Sequence, residues 1–449
     1  MRIHMIGIGG AGMSSVAEVL HRGGHEITGS DLKESPYTRR LKEAGITVYI
    51  GHATHQIGDA QEVVISTAIP STNIELLEAR RRSIPIVPRA AALARILAGG
   101  QKSVAVAGTH GKTTTTSMTS HALRALGEDH TALIGGELND IGSNVVVGGT
   151  DLFVAEADES DRSLLYLKPH LAVITNVEFD HPDFYSSLDD VLETFERFVE
   201  ALPPEGHLVT CAGDPNCLKL AALAPCPVTT YGFSAGDLRA RILSPNSYVL
   251  VEGDEERGIV ELGVYGRHNV LNSLATASVA RWLGHDAYAA AASLKRFSGV
   301  RRRFQLKGER GEVRVVDDYA HHPTELSATL GVARSLLSPE GRVIAVFQPH
   351  RYSRTRTLYR EFGEVLTLAD AVLVTDVYSA GEMPEPGVSG KLVVDAVCEN
   401  TVRPDVYYVP DQHDIPGVLR RIAEPKDTVL TMGAGDISRV GDELLGMLG

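Results

Sequence analysis

The stretch SVAVAGTHGKTTTT, residues 103–116, decides how the chain is read. An apolar run enters a glycine turn and a helical segment leaves it, which is the setting of a phosphate-binding loop. The spacing is shorter than usual. Gly108 is followed by only Thr109 and His110 before Gly111-Lys112-Thr113-Thr114, and Val106 stands where the longer loop has its first glycine. Backbone N–H groups of such a turn cradle phosphate oxygens, Lys112 can set its ammonium on β- and γ-phosphates, and the Thr113 hydroxyl can face Mg2+. A simple polar helix cap is the alternative, but a cap needs no Gly-Lys-Thr behind a strand.

Two later strands end in groups suited to the same chemistry. LFVAEADESD carries Glu156, Asp158, Glu159 and Asp161, and LAVITNVEFDH carries Asn176, Glu178, Asp180 and His181. A lone acidic cluster is usually a solvated loop. Two of them following a phosphate loop in one α/β unit point to metal and nucleotide.

Short β-rich runs alternate with helical patterns almost throughout, so the fold class is α/β with mainly parallel sheets and flanking helices. The 449 residues exceed one compact core. Three domains are expected: a Rossmann-like domain over 1–98, a phosphate-loop domain over 99–299 and a second Rossmann-like domain over 300–449, with LAGGQKS, residues 97–103, as the first linker. Hydrophobic residues make up 43% and charged residues 22%, near the soluble average, and no apolar run reaches the ~18 residues of a membrane span. The net charge of -14 argues against nucleic acid and acidic membranes as partners. Cys211, Cys217, Cys226 and Cys398 have neither zinc spacing nor a disulfide framework, which fits reduced thiols and a cytoplasmic location.

The first domain opens with Gly7-Ile8-Gly9-Gly10-Ala11-Gly12, a complete G-x-G-x-x-G between a strand and a helix. Gly9, Gly10 and Gly12 would bring backbone N–H groups to a diphosphate, and Asp31 in ITGSD stands where a ribose-binding carboxylate belongs. Taken alone this motif admits a nicotinamide or flavin cofactor, a nucleotide sugar, or a turn with no ligand.

Taken together, GTHGKTTTT, EADESD, TNVEFDH, YGRHNVLNSLA, GVRRRFQ, DDYAHHPTE and FQPHRYSRT resemble the Mur ligase family, in the family's order and across all three domains. The shortened G-x-x-G-K-T loop is that family's ATP loop. The resemblance implies ATP-driven amide formation in which L-alanine joins the lactyl carboxylate of UDP-N-acetylmuramate through an acyl phosphate. Within the family, a ligase that attaches a whole peptide to the same sugar nucleotide is the near alternative; an NAD-dependent oxidoreductase, or an ATP switch without catalysis, is the distant one.

The resemblance also distributes roles. Gly9, Gly10, Gly12, Asp31 and Ser66 would face the UDP-sugar rather than NAD. Gly108 through Thr114, with His268, Asn269 and Arg303, would hold ATP. Lys112 would neutralise the transferring phosphoryl group, Thr113 and Glu156 would hold one Mg2+, and His181, neutral at one ring nitrogen, a second. Tyr319, His350, Arg351 and Arg354 would receive the amino acid, and His321 would contact the amine or phosphate. Several relatives use a carbamylated lysine in the helix after the Asp-His motif. Residues 181–204 contain no lysine, and Glu193 or Glu196, three apart on one helical face, is expected to supply that charge.

Overall fold

The computed structural model describes residues 1–448 and contains three sheets. The first is parallel throughout, in the spatial order Thr47–Ile50, Glu26–Asp31, Arg2–Ile6, Glu62–Ile65, Ile86–Pro88. Strand order reverses between Arg2–Ile6 and Glu62–Ile65, and ligands of open α/β sheets bind at the carboxyl ends flanking such a reversal. Those two ends lead into Gly7–Gly12 and Ser66.

The second sheet has ten strands. At its centre Lys102–Ala107, the strand entering the phosphate loop, lies between Leu152–Glu156 and Leu171–Ile174. The two carboxylate-bearing strands are therefore its immediate parallel neighbours, and all three carry their polar residues to one edge. Val104 through Ala107 and Leu171 through Ile174 are completely buried, as expected of strands covered on both faces. One end of the sheet is an antiparallel extension through Leu238–Ser244, Ser247–Glu252 and Glu255–Glu261.

The third sheet has six strands, with Thr428–Met432 inserted between Val313–Asp318 and Val343–Phe347. DDYAHHPTE and FQPHRYSRT thus leave strands that are two apart, not adjacent as their order in sequence suggests. Gln305–Arg310 adds an antiparallel edge strand that has no counterpart among the expected elements. The first linker is also shorter than expected. The helix Arg89–Ala98 and the strand Lys102–Ala107 leave only Gly99 to Gln101 between them, because an amphipathic last turn and a buried strand consume the remaining positions.

No helix among the described residues is long and apolar enough to cross a membrane. All four cysteines are free thiols, three buried and Cys398 exposed.

Candidate active site

The phosphate loop is built on two left-handed glycines. Gly108 has φ +129°, and a Cβ there would lie 2.0 Å from Thr175 Oγ1. Gly111 has φ +82° and precedes the helix Lys112–Ala125 with no side-chain cap, so the first N–H groups of that helix face the cavity. Lys112 Nζ folds back over the loop, donating to Gly108 O at 2.7 Å and to Glu159 Oε1 at 2.8 Å. Burial opposes its charge, but Glu159, Asp158 and Glu156 outweigh this and raise its pKa. Glu159, seen in sequence only as one of several strand-end acids, is thus the counter-ion of the loop lysine.

Thr113 Oγ1 donates to Glu156 Oε1 at 3.0 Å, and Gly135 N–H donates to Glu156 Oε2 at 2.9 Å. The hydroxyl and carboxylate expected to share a cation therefore already face one point, and as hard oxygen donors they suit Mg2+. His181 adopts φ +56°, its N–H donates to Asp180 Oδ1 at 2.7 Å, and its Nε2 lies 3.6 Å from Glu159 Oε1. A separate grouping at the domain junction brings one donor atom each of His110, Glu178 and His322 within 4.8 Å of one another. There Glu178 already accepts from Thr324 Oγ1 at 2.7 Å.

Three cavities run in series. The first, about 620 Å³, is lined from all three domains, including Ala11 and Tyr37, Lys112, Glu156 and His181, and Tyr319, His321, His350, Arg351 and Arg354. The second, about 350 Å³, connects Gly10, Gly12 and Ser66 with Arg89 and meets the first at Gly135, Glu156 and Asp158. The third, about 260 Å³, is lined by Thr114, Asn176, His268, Asn269, Asn272 and Phe304, and meets the first at His110, Gly111, Arg303 and Glu325. Asn269 is fixed by its amide, which donates to Tyr265 O at 2.7 Å.

Several nominated residues take partners that spacing did not announce. Asp31 accepts the Gly9 N–H at 2.9 Å, so it shapes the glycine loop itself. Arg354 is buried and gives its guanidinium to Asp180, while Arg351 bonds Asp183; both partners belong to the middle domain. In this arrangement neither arginine is a free carboxylate receptor, because nearby acids on the facing domain have already claimed them. His350 stacks on Tyr378 with ring centroids 5.8 Å apart, and Tyr319 packs under the guanidinium groups of Arg302 and Arg303. His321 Nδ1 lies 3.0 Å from the Tyr319 carbonyl oxygen, which fixes the ring as the Nδ1–H tautomer. Burial first, and Arg354 with it, lower its pKa to about 4.

Glu193 is exposed and Glu196 half-buried on the helix Leu188–Glu200, and neither lines any of the three cavities. That helix turns Val191, Phe195 and Phe198 into the core, and its Asp190 binds Arg162, which lines none of the three cavities. The reaction cavity draws its carboxylates from Glu137, Glu156, Asp158, Asp180, Asp183 and Glu325 instead.

Arg89 is the cavity-lining residue most completely missed in sequence. A Cβ on Gly12 would fall 2.8 Å from its Nη1, so this guanidinium covers the first glycine loop. Its only signal was an arginine directly after a short strand.

The chain belongs to the Mur ligase family. The family's catalytic domain matches residues 2–101, its middle domain residues 106–280 and its glutamate ligase domain residues 302–435. Among individual proteins, it is 73% identical over 448 residues to the UDP-N-acetylmuramate–L-alanine ligase of Rubrobacter xylanophilus, with 100% of each chain covered. It is 48% identical to that of Kineococcus radiotolerans, covering 100% of this chain and 96% of the relative. Its fold matches the crystal structure of the UDP-N-acetylmuramate–alanine ligase of Thermotoga maritima with a TM-score of 0.83 at 30% identity, over 100% and 99% of the two chains. A murein peptide ligase from Psychrobacter arcticus matches with a TM-score of 0.74 at 25% identity, over 100% and 99%.

Proposed function

We propose that this protein joins L-alanine to the lactyl carboxylate of UDP-N-acetylmuramate at the expense of ATP. The observation that carries this reading is the series of cavities. A glycine loop suited to a diphosphate opens on one side of Glu156 and Asp158, and the ATP loop with a base-sized pocket opens on the other. The sugar carboxylate and the γ-phosphate then meet in the shared space.

In this reading residues 1–98, 99–299 and 300–449 bring sugar nucleotide, ATP and amino acid in turn. Gly10, Gly12 and Ser66, with Gly9 held by Asp31, seat the UDP-sugar. Gly108 through Thr114 cradle the phosphates, and His268, Asn269 and Arg303 hold the nucleoside end. A carboxylate oxygen is a poor leaving group, so the lactyl carboxylate first attacks the γ-phosphorus, expels ADP and becomes an acyl phosphate. Lys112 exchanges Glu159 for the transferring phosphoryl oxygens as their charge develops. Thr113, Glu156 and His181 are the residues that would hold Mg2+, which supplies neutralisation of phosphate charge when bound. The neutral alanine amine attacks the carbonyl through its nitrogen lone pair and, as the C–N bond forms, loses a proton that leaves with the departing phosphate. His321, neutral near pH 7 and with Nε2 unprotonated, accepts a hydrogen bond from that amine. Tyr319, His350, Arg351 and Arg354 wall the amino-acid side. The tetrahedral intermediate then expels phosphate and leaves the amide.

Phosphate release with ATP, UDP-N-acetylmuramate and a panel of amino acids and short peptides tests the assignment. L-alanine should support turnover best. Turnover only with a peptide would transfer the reading to the peptide-adding type.

A further inference from the structure

One carboxylate in the reaction cavity lies between the nucleotide side and the amine side and has no role in the mechanism above. Glu325 sits in the first turn of the helix Pro323–Ser335, with its side chain 13% exposed. Its two oxygens divide their partners. Oε1 lies 3.3 Å from Nδ1 of His110, in the phosphate loop, and 3.6 Å from Nη1 of Arg303 at the domain junction. Oε2 accepts the backbone N–H of His321 at 3.0 Å and lies 3.3 Å from the His321 ring at Nδ1. His110 is held from its other side by Glu178 Oε2, 3.4 Å from Nε2, so the ring is suspended between a carboxylate of its own domain and one of the facing domain.

We propose that Glu325 is a positioning residue that couples the ATP loop to the amine side, holding His110 and Arg303 through one oxygen and His321 through the other. The inference rests on the ligase reading for the meaning of the two sides. Its geometric content, that one carboxylate sets three groups from two domains, stands independently.

Three considerations support it. Burial works against the carboxylate's charge, yet His321, His110 and Arg303 hold it ionised well below the ordinary range, so these groups are electrostatically linked through it. The first and third cavities meet at Glu325, so its displacement alters both. And although an acid in the first turn of a helix often does no more than cap it, a cap needs only the backbone N–H of His321; His110 and Arg303 lie outside that requirement.

The test is E325Q, which preserves shape and can still accept from the His321 N–H but removes the charge. Nitrogen and proton signals of the His110 and His321 rings should both shift in E325Q in the absence of substrates. In turnover, KM for ATP and KM for L-alanine should each rise about tenfold, the scale of one charge-assisted hydrogen bond. KM for UDP-N-acetylmuramate should stay unchanged, because the hydrogen bonds and ion pairs of Glu325 go to His110, Arg303 and His321, outside the first domain. A helix cap alone would lower thermal stability without dividing the three KM values in this way. If only one of the two rings responds, or only one of the two KM values rises, the coupling role is overturned. Should E325Q fail to fold, H110N decides: a raised KM for L-alanine, caused from the nucleotide side, supports the role, and an unchanged one overturns it. Should the unaltered enzyme not release phosphate with these substrates, the ligase reading fails, and the ring signals alone settle whether Glu325 sets both histidines.

Discussion

Arg354 of the third domain donates Nε and Nη2 to the same oxygen of Asp180 in the middle domain, at 2.9 and 2.8 Å, with both side chains at most 5% exposed. Burial alone would raise the Asp180 pKa, but Arg354 beside it depresses it strongly. Asp180 directly precedes His181 and accepts its backbone N–H, so one of the contacts that join the two domains also sets the base of the proposed metal residue. Breaking a buried pair by removing one partner costs about 3–5 kcal/mol, whereas removing both is much milder. Thermal unfolding of D180N, R354M and the double variant should therefore be strongly non-additive, with the double variant more stable than the sum of the single losses implies. Additive losses would show that the pair contributes no mutual stabilisation.

The pairing of Lys112 with Glu159 makes a prediction about binding against turnover. Lys112→Ala should lower phosphate release by on the order of 10²–10³-fold or more, the loss expected when charge stabilisation of a transition state is removed. UDP-sugar affinity measured by calorimetry should remain within about twofold. A comparable loss of sugar-nucleotide affinity would remove the separation of the two glycine loops.

Two glycines should respond differently to the same added methyl group. At Gly108 the backbone is left-handed and the new Cβ would overlap Thr175 Oγ1 at 2.0 Å, so Gly108→Ala should destabilise the fold and abolish ATP binding. At Gly12 the obstructing atom is the end of the flexible Arg89 side chain, at 2.8 Å. Gly12→Ala should fold normally and raise KM for the sugar nucleotide with KM for ATP unchanged. Steady-state kinetics with each substrate varied separately read the difference.

The His110 network gives stability a defined pH window. Burial opposes the imidazolium, but Glu178 and Glu325 raise its pKa from 6.5 to about 9. A raised pKa contributes stability that is fully present below the unfolded value of 6.5 and lost as pH rises through 9. Glu178 is the mirror case. Burial opposes its charge, but His110 and Thr324 lower its pKa from 4.5 to about 2, so its contribution is present above 4.5 and lost as pH falls through 2. Melting temperature should therefore fall more steeply between pH 7 and 10 in the unaltered protein than in H110N, by an amount equivalent to a few kcal/mol at most. Parallel pH profiles would rule out a charged His110.

The positions of Glu193 and Glu196 away from the cavities lead to a negative result and a positive one. E193Q and E196Q should leave the Mg2+ dependence of turnover unchanged, and removal of bicarbonate should have no effect. D158N, within the wall shared by the first two cavities, should shift that dependence. A shift in E196Q would place this helix closer to the metal than the cavity walls imply.

Much of this molecule is legible in the one-dimensional chain because its determinants are local. Gly108, Gly111 and Lys112 form a phosphate loop from consecutive positions, and the runs Val104–Ala107 and Leu171–Ile174 are strands because their own residues are apolar. The acids at the ends of Leu152–Glu156 and Leu171–Ile174 could likewise be assigned to one site, since parallel strands deliver their ends to one edge. The insertion of Thr428–Met432 between the two motif-bearing strands of the third sheet had no such local signal. Nor did the charged edge strand Gln305–Arg310, whose exposure removes the alternation that marks a half-buried strand.

The order and chemistry of the motifs, read as sequence, pointed to α/β domains and, through the resemblance they carry, to an amide-forming ligase of three such domains. Tertiary structure alone decided which acid meets which base. Asp180 and Arg354 are 174 positions apart, and Lys112 and Glu159 are 47 apart. Arg89 reaches Gly12 across the first domain, and Glu325 reaches His110 across a domain junction. A charged side chain in a closed cavity binds whichever opposite charge the packing brings within a few ångströms, and that proximity is set by how whole sheets abut, which no spacing within a motif encodes.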